Sequence, residues 1–277
     1  MPFRASARVG AIASFPALLA CGGGMPLLHP AHSLPSGHGS ATFGASGRFL
    51  LGGVDAAIDS TDAAGPSLDG TSAERTTRGV AASVLGEPGV APFVSARAGV
   101  TDDLEAGLAY SGRSVRLDGR YTERDRHVAL SGGLAFELVL AHPTEDAGDG
   151  TRASPSLRDV DASDVSGWAV SVPLLVGYRS DAELIQLWGG VRGRYERARG
   201  EVLFAGARTP SAELSAHALS AEGLVGLAVG LPPIWVAAEV SVGYLNVRGE
   251  LSSKGSASSG SADGVTVSPA GALIARF

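Results

Sequence analysis

The chain of 277 residues has a single cysteine, Cys21, and a single lysine, Lys254. One cysteine excludes an intrachain disulfide and a cysteine-built zinc cluster. Charge is scarce: Asp, Glu, Lys and Arg make up 18% of the residues, against about 25% in soluble domains. The net charge of -6 argues against the basic surface that nucleic acid requires, so no nucleic-acid partner is expected. Long apolar helices are missing too. The run Val9 to Ala20 is short of the roughly 20 residues that a spanning helix needs. The uncharged stretch Gly223 to Ala238 is interrupted by Pro232-Pro233, whose missing amide hydrogens break a helix. Glycine is abundant, 39 residues, about twice its usual share, but without the G-X-Y period of collagen. With 44% hydrophobic residues, the whole chain is not disordered.

From Ser40 onward the apolar pattern has period two, the mark of half-buried strands. In Val128 to Leu140 the even positions Val128, Leu130, Leu134, Phe136, Leu138 and Leu140 are large and apolar, and the odd ones include Ala129, Ser131, Ala135 and Glu137. Trp168, Val170, Val172, Leu174, Val176 and Tyr178 repeat it against Ala169, Ser171, Gly177 and Arg179. Ten such segments are expected: 40–52, 89–100, 104–112, 114–123, 127–140, 166–179, 184–197, 216–231, 234–248 and 266–277. The connections alternate in length. Long polar stretches at 53–88, 141–165, 198–215 and 249–265 interleave with tight turns at 101–103, 124–126, 180–183 and Pro232-Pro233. Strands whose two ends meet different surroundings, with apolar residues out and polar residues in, describe a transmembrane β-barrel. Closure leaves no open edge and no unpaired backbone in hydrocarbon.

The N-terminus carries Arg4 and Arg8 before the apolar run, the pattern of a secretory signal. Leu18-Leu19-Ala20-Cys21-Gly22 resembles the lipobox of bacterial lipoproteins, which implies a lipidated Cys21. Residues 22–39, with Gly22, Gly23, Gly24, Pro26, Pro30, Pro35 and Gly37, read as a flexible linker. His29, His32 and His38 crowd there without a partner carboxylate, and no metal site is expected.

The C-terminal Ala270-Gly271-Ala272-Leu273-Ile274-Ala275-Arg276-Phe277 resembles the last strand of bacterial outer-membrane proteins, and Gly99 to Leu108 resembles a first periplasmic turn of such barrels. The resemblance spans residues 40–277. It implies an all-β, closed antiparallel up-and-down barrel in the outer membrane, with ten strands (eight or twelve as alternatives). Its partners would be outer-membrane lipid and the barrel-assembly machinery, which would read Phe277 as a signal. The expected organisation is a signal peptide at 1–20, a lipidated N-terminus and linker at 21–39, and the barrel at 40–277.

Parity places Arg48, Arg97, Glu105, Arg116, Asp118, Arg120, Glu137, Arg192, Arg194, Glu196, Glu222 and Glu239 in the lumen as an ion network. Ser215, His217, Ser220 and Glu222 invite a Ser-His-Glu reading, but His217 has outward parity and cannot converge with Glu222. No catalytic residue, cofactor or metal is expected. The functional expectation is a non-enzymatic outer-membrane barrel with a structural or passive-transport role. The alternatives are an outer-membrane enzyme acting on lipid or peptide and a soluble periplasmic ligand-binding barrel. Nothing in the sequence specifies an oligomeric state.

Overall fold

The computed structural model describes residues 24–140, 157, 160–204, 211–253 and 255–277. Cys21 and most of the expected loop 141–165 lie outside these residues. The first strands are β1 (Gly39–Gly52), β2 (Gly89–Gly99), β3 (Leu104–Tyr110), β4 (Ser114–Asp125), β5 (Val128–Val139) and β6 (Val160–Asp161). They are followed by β7 (Ser166–Arg179), β8 (Ile185–Phe204), β9 (Ser211–Leu231), β10 (Ile234–Ser253) and β11 (Ser256–Arg276). Two helices, α1 (Gly53–Ala64) and α2 (Gly70–Gly86), stand between β1 and β2. Ten strands form one antiparallel ring in chain order, with β6 outside it. β11 returns to β1 with Ser40 opposite Arg276. The backbones of Gly39 and Phe277 exchange hydrogen bonds of 2.7 and 3.0 Å. β6 is two residues long and pairs Val160 with Phe204 at the far end of β8.

Period two sets the two faces of the wall. Leu134 is 59% exposed and its neighbour Ala135 3%. Val240 and Val242 face out, while Glu239 and Ser241 are buried. Along β10 the outward apolar run extends from Ile234 to Tyr244. Ten steps of about 3.4 Å, tilted by about 45°, give a band close to 25 Å tall, the height of outer-membrane barrels.

The connections differ from the sequence reading in three places. The stretches 198–215 and 249–265, expected as long loops, are largely strand where described: β8 runs on to Phe204, and β10 and β11 stay paired as far as Ser253 opposite Ser256. Parity persists there but its content inverts. Inside the extension lie Val202, Phe204, Leu214, Val247 and Leu251, all buried, while Arg199, Glu201, Glu213, Arg248 and Glu250 face out. Charged residues have replaced large apolar ones outside, and an apolar filler has replaced the ion network inside. Small and polar outward residues made these segments look like loops.

The filler is the second difference. Residues 53–88, expected as a polar loop, form α1 and α2. Their apolar positions recur at helical spacing: Val54, Ala57, Ile58 and Thr61, then Ala73, Thr77, Val80, Ala81, Val84 and Leu85. This stripe packs with Leu214, Ala216, Val247, Leu251 and Ala262 in one apolar core. Gly249 and Gly260 lie opposite each other beneath α2, where a Cβ on Gly260 would stand 2.7 Å from the Arg78 backbone nitrogen. The helix therefore lies directly on the sheet.

The third difference is the N-terminal linker. Residues 24–34 are buried rather than free in solvent. They thread the lumen at the end where the chain termini and the tight turns gather. Leu27, Leu28 and Ala31 join Phe93, Leu175, Trp188, Leu224 and Trp235 in a second apolar core. The prolines and glycines that suggested a flexible tether also prevent the segment from forming its own helix or strand. Its backbone groups are left for the barrel wall to bind.

Candidate functional site

The lumen between the two apolar cores is lined by charge. Of the twelve side chains that parity placed there, eleven are buried and Asp118 is nearly so. They divide into two groups. In the first, Arg97 pairs with Glu105 and, at 2.5 Å, with Asp118; Arg116 reaches Asp118 at 3.3 Å and Arg120 reaches Glu105 at 3.0 Å. In the second, Glu222 lies between Arg192 at 2.5 Å and Arg48 at 3.4 Å, and Arg194 lies between Glu196 at 2.9 Å and Glu137 at 3.4 Å. Opposite charges along one strand, on adjacent strands and across the lumen offset the large cost of burying ions.

Glu239 stands apart. Its carboxylate accepts the backbone N–H of Leu27 and of Leu28, each at 3.0 Å, and the indole N–H of Trp188 at 2.9 Å. Trp188 fits because its in-register partner is Gly226: a Cβ there would lie 2.1 Å from the indole.

The same logic holds along the whole plug. Glu105 accepts the Leu34 N–H at 2.9 Å. Arg192 donates to the Met25 carbonyl at 2.9 Å, Arg116 to that of Pro26 at 2.9 Å, and Arg120 to those of Pro30 and His32. Ser46 donates to the Gly24 carbonyl at 2.8 Å. Carboxylates take the plug's N–H groups and guanidinium groups take its carbonyls, so the polar contacts of the wall go mainly to the backbone of the segment while Leu27, Leu28 and Ala31 pack in the apolar core. Charge-assisted bonds of this kind contribute about 1.5–3 kcal/mol each.

The sequence reading missed several members. Glu87, just past α2, pairs with Arg113 and lies 3.9 Å from Arg48. At the plugged mouth, Arg276 lies 4.7 Å over the Trp235 ring, donates to Gln186 at 2.7 Å and pairs with Glu183 at 3.4 Å. His29 and His32, expected in a flexible linker, lie in the lumen instead. His29 Nδ1 lies 2.6 Å from Arg120. Burial, with Arg97 and Arg120 nearby, holds its pKa well below the usual histidine range. His32 is buried with neither ring nitrogen bonded. Burial first, then Arg179 and Arg120, lower its pKa to about 4. The cavity where these two histidines face Glu105 and Arg276 measures about 20 Å³, room for roughly one water molecule.

His217 lies on the outer wall, while Ser220 and Glu222 point into the lumen, so the Ser-His-Glu set is not assembled. Instead His217 ends a row of rings on the outer surface: Phe136 to Trp168 at 6.5 Å, Trp168 to Tyr195 at 5.6 Å, and Tyr195 to His217 at 6.4 Å. This row marks one edge of the apolar band, as aromatic girdles do in membrane barrels. Phe277 is 76% exposed on the same outward parity as Leu273.

No family model matches the chain, and no curated protein matches it in sequence. Solved structures do. The attachment invasion locus protein Ail of Yersinia pestis is 11% identical, with a TM-score of 0.33 over 87% of this chain and 99% of that one. The translocator domain of the autotransporter NalP from Neisseria meningitidis is 12% identical, with a TM-score of 0.38 over 87% of this chain and 88% of that one. A major outer membrane protein from Thermus thermophilus is 12% identical, with a TM-score of 0.38 over 86% of this chain and 99% of that one. The closed antiparallel ring, the apolar outer band and the charged lumen, on their own geometry, give this chain the fold of a transmembrane β-barrel.

Proposed function

We propose that the protein is a sealed, non-enzymatic barrel of the bacterial outer membrane. It carries a structural role and displays the α1–α2 cap and the tall β8–β11 wall beyond the membrane. The observation that carries this reading is the filled lumen. The N-terminal segment occupies one end, α1 and α2 occupy the other, and the arginines and carboxylates between them are engaged with one another and with the plug. A passive-transport role needs a water-filled path, and among the described residues the plug and the α1–α2 pair stand across the lumen. The barrel-assembly machinery would act on the strand ending at Phe277.

Planar-bilayer recording tests the reading. The intact protein should insert without steady conductance, and a variant lacking residues 24–35 should conduct ions. Steady channels from the intact protein would return the function to passive transport.

A further inference from the structure

The arginines outside the barrel are arranged very differently from those within. Arg197 on β8 lies in register with His217 on β9, and His217 lies in register with Arg248 on β10. All three point outward, and Arg199 follows Arg197 on the same face. In-register side chains have Cβ atoms about 5 Å apart, so Arg197 and Arg248 flank the His217 ring from either side, one strand apart from each other. Among the described residues, none of these arginines forms an ion pair, whereas the lumen arginines are paired throughout. The wall thus carries a cationic ladder that needs an anion.

The surroundings say which kind. One register step toward the membrane, Tyr195 and Leu219 face out, and Trp168 is the in-register neighbour of Arg197 on β7. The ladder therefore stands on the edge of the apolar band. Acidic residues lie beyond the Arg197–His217–Arg248 row, although Glu250 shares the row of Arg199 across Ser215 and, with Glu74, lines one surface cavity with His217 and Arg248. Glu250 follows one outward position beyond Arg248, and Glu201 and Glu213 face each other two positions beyond Arg197 and His217. Asp263, nearer the band on β11, accepts the Tyr244 hydroxyl at 2.7 Å. Cations at the band edge and most anions farther out match a molecule with acyl chains against the wall and a phosphate at its rim. Arginine binds phosphate with two parallel hydrogen bonds.

We propose that Arg197, Arg199, His217 and Arg248 form a binding site on the outer wall for the phosphate group of a phosphorylated membrane lipid. This rests on the reading of the barrel as membrane-spanning, and the test separates the two. Trp168 is 37% exposed on the outer wall, while Trp188 and Trp235 are 3% and 2% exposed within the lumen. Bromine on lipid acyl chains therefore quenches Trp168 selectively. The protein is reconstituted into phosphatidylcholine bilayers with a small, equal fraction of brominated phosphatidylglycerol or brominated phosphatidylcholine. The anionic lipid should be enriched beside Trp168, by about fivefold for each arginine engaged, the factor equivalent to about 1 kcal/mol. Arg197→Gln with Arg248→Gln should bring the two lipids to equal quenching, with folding checked by heat-modifiable gel migration. Equal quenching in the unaltered protein overturns the site and leaves the membrane reading intact. No quenching by either lipid overturns the membrane reading itself. Inorganic phosphate that erases the difference, where chloride of the same ionic strength does not, would make this a free-phosphate site and overturn the lipid assignment.

Discussion

Glu239 shows how one side chain couples the wall to the plug. Its two oxygens take three N–H donors, two from the plug backbone and one from Trp188. Glu239→Ala leaves those donors buried without an acceptor, which costs about 2–5 kcal/mol. A lower urea midpoint for unfolding from detergent, together with faster proteolysis between residues 24 and 35, is the expected outcome; Glu239→Gln should recover part of both. An unchanged midpoint in the alanine variant would mean that the plug is not held through this carboxylate. Glu239 was legible as a lumen residue from parity alone. Its partner was not, because nothing local in Leu27 or Leu28 marks them as residents of the lumen.

At the scale of elements, the strands were legible and the helices and extensions were not. Within the membrane band, lipid enforces large apolar residues outside, and the alternation is strong. An arginine at Leu134, mid-strand and outward, should cost about 2–4 kcal/mol near the midplane. The measurement is the denaturant midpoint in lipid vesicles, and Leu134→Met should be almost silent. Equal loss from both substitutions would show that the position does not face hydrocarbon. Outside the band the alternation weakens, because the outward residues Arg199, Glu201, Glu213 and Glu250 are charged and their inward partners are often small, as with Ala212 and Ala216. The α1 and α2 stripes are diluted in the same way by alanine and threonine. Thr61 donates to the Ala57 and Arg75 carbonyls, and Gly79 lies against it, so this helix pair is joined by small residues that a hydropathy pattern passes over.

At the scale of the whole molecule, the seated plug is linked to protons. His32 is held neutral, with a pKa of about 4 against an ordinary 6.5, and His29 is lowered in the same sense. A released segment would take up protons at the ordinary value and a seated one would not. Seating is therefore fully favoured above pH 6.5 and weakens as pH falls from 6.5 toward 4. Amide exchange at Leu27, Leu28 and Leu34, corrected for the intrinsic pH dependence, should show protection falling across that window. His29→Asn with His32→Asn should flatten the change. Protection that stays constant in the unaltered protein, or falls equally in the variant, would remove the histidines from the linkage.

Period-two alternation, the positions of the tight turns and the sign pattern of the inward residues were enough to determine a closed barrel with a charged lumen. These are local consequences of a strand having two faces in two media. What fills the lumen was decided only by the tertiary structure. A plug residue is recognised by the chain atoms that wall residues bring to it from more than two hundred positions away, as Glu239 does for Leu27 and Leu28, and no window of the sequence contains both. The outer row of Arg197, His217 and Arg248 is equally non-local, since register across three strands, rather than spacing along one, sets those side chains in line.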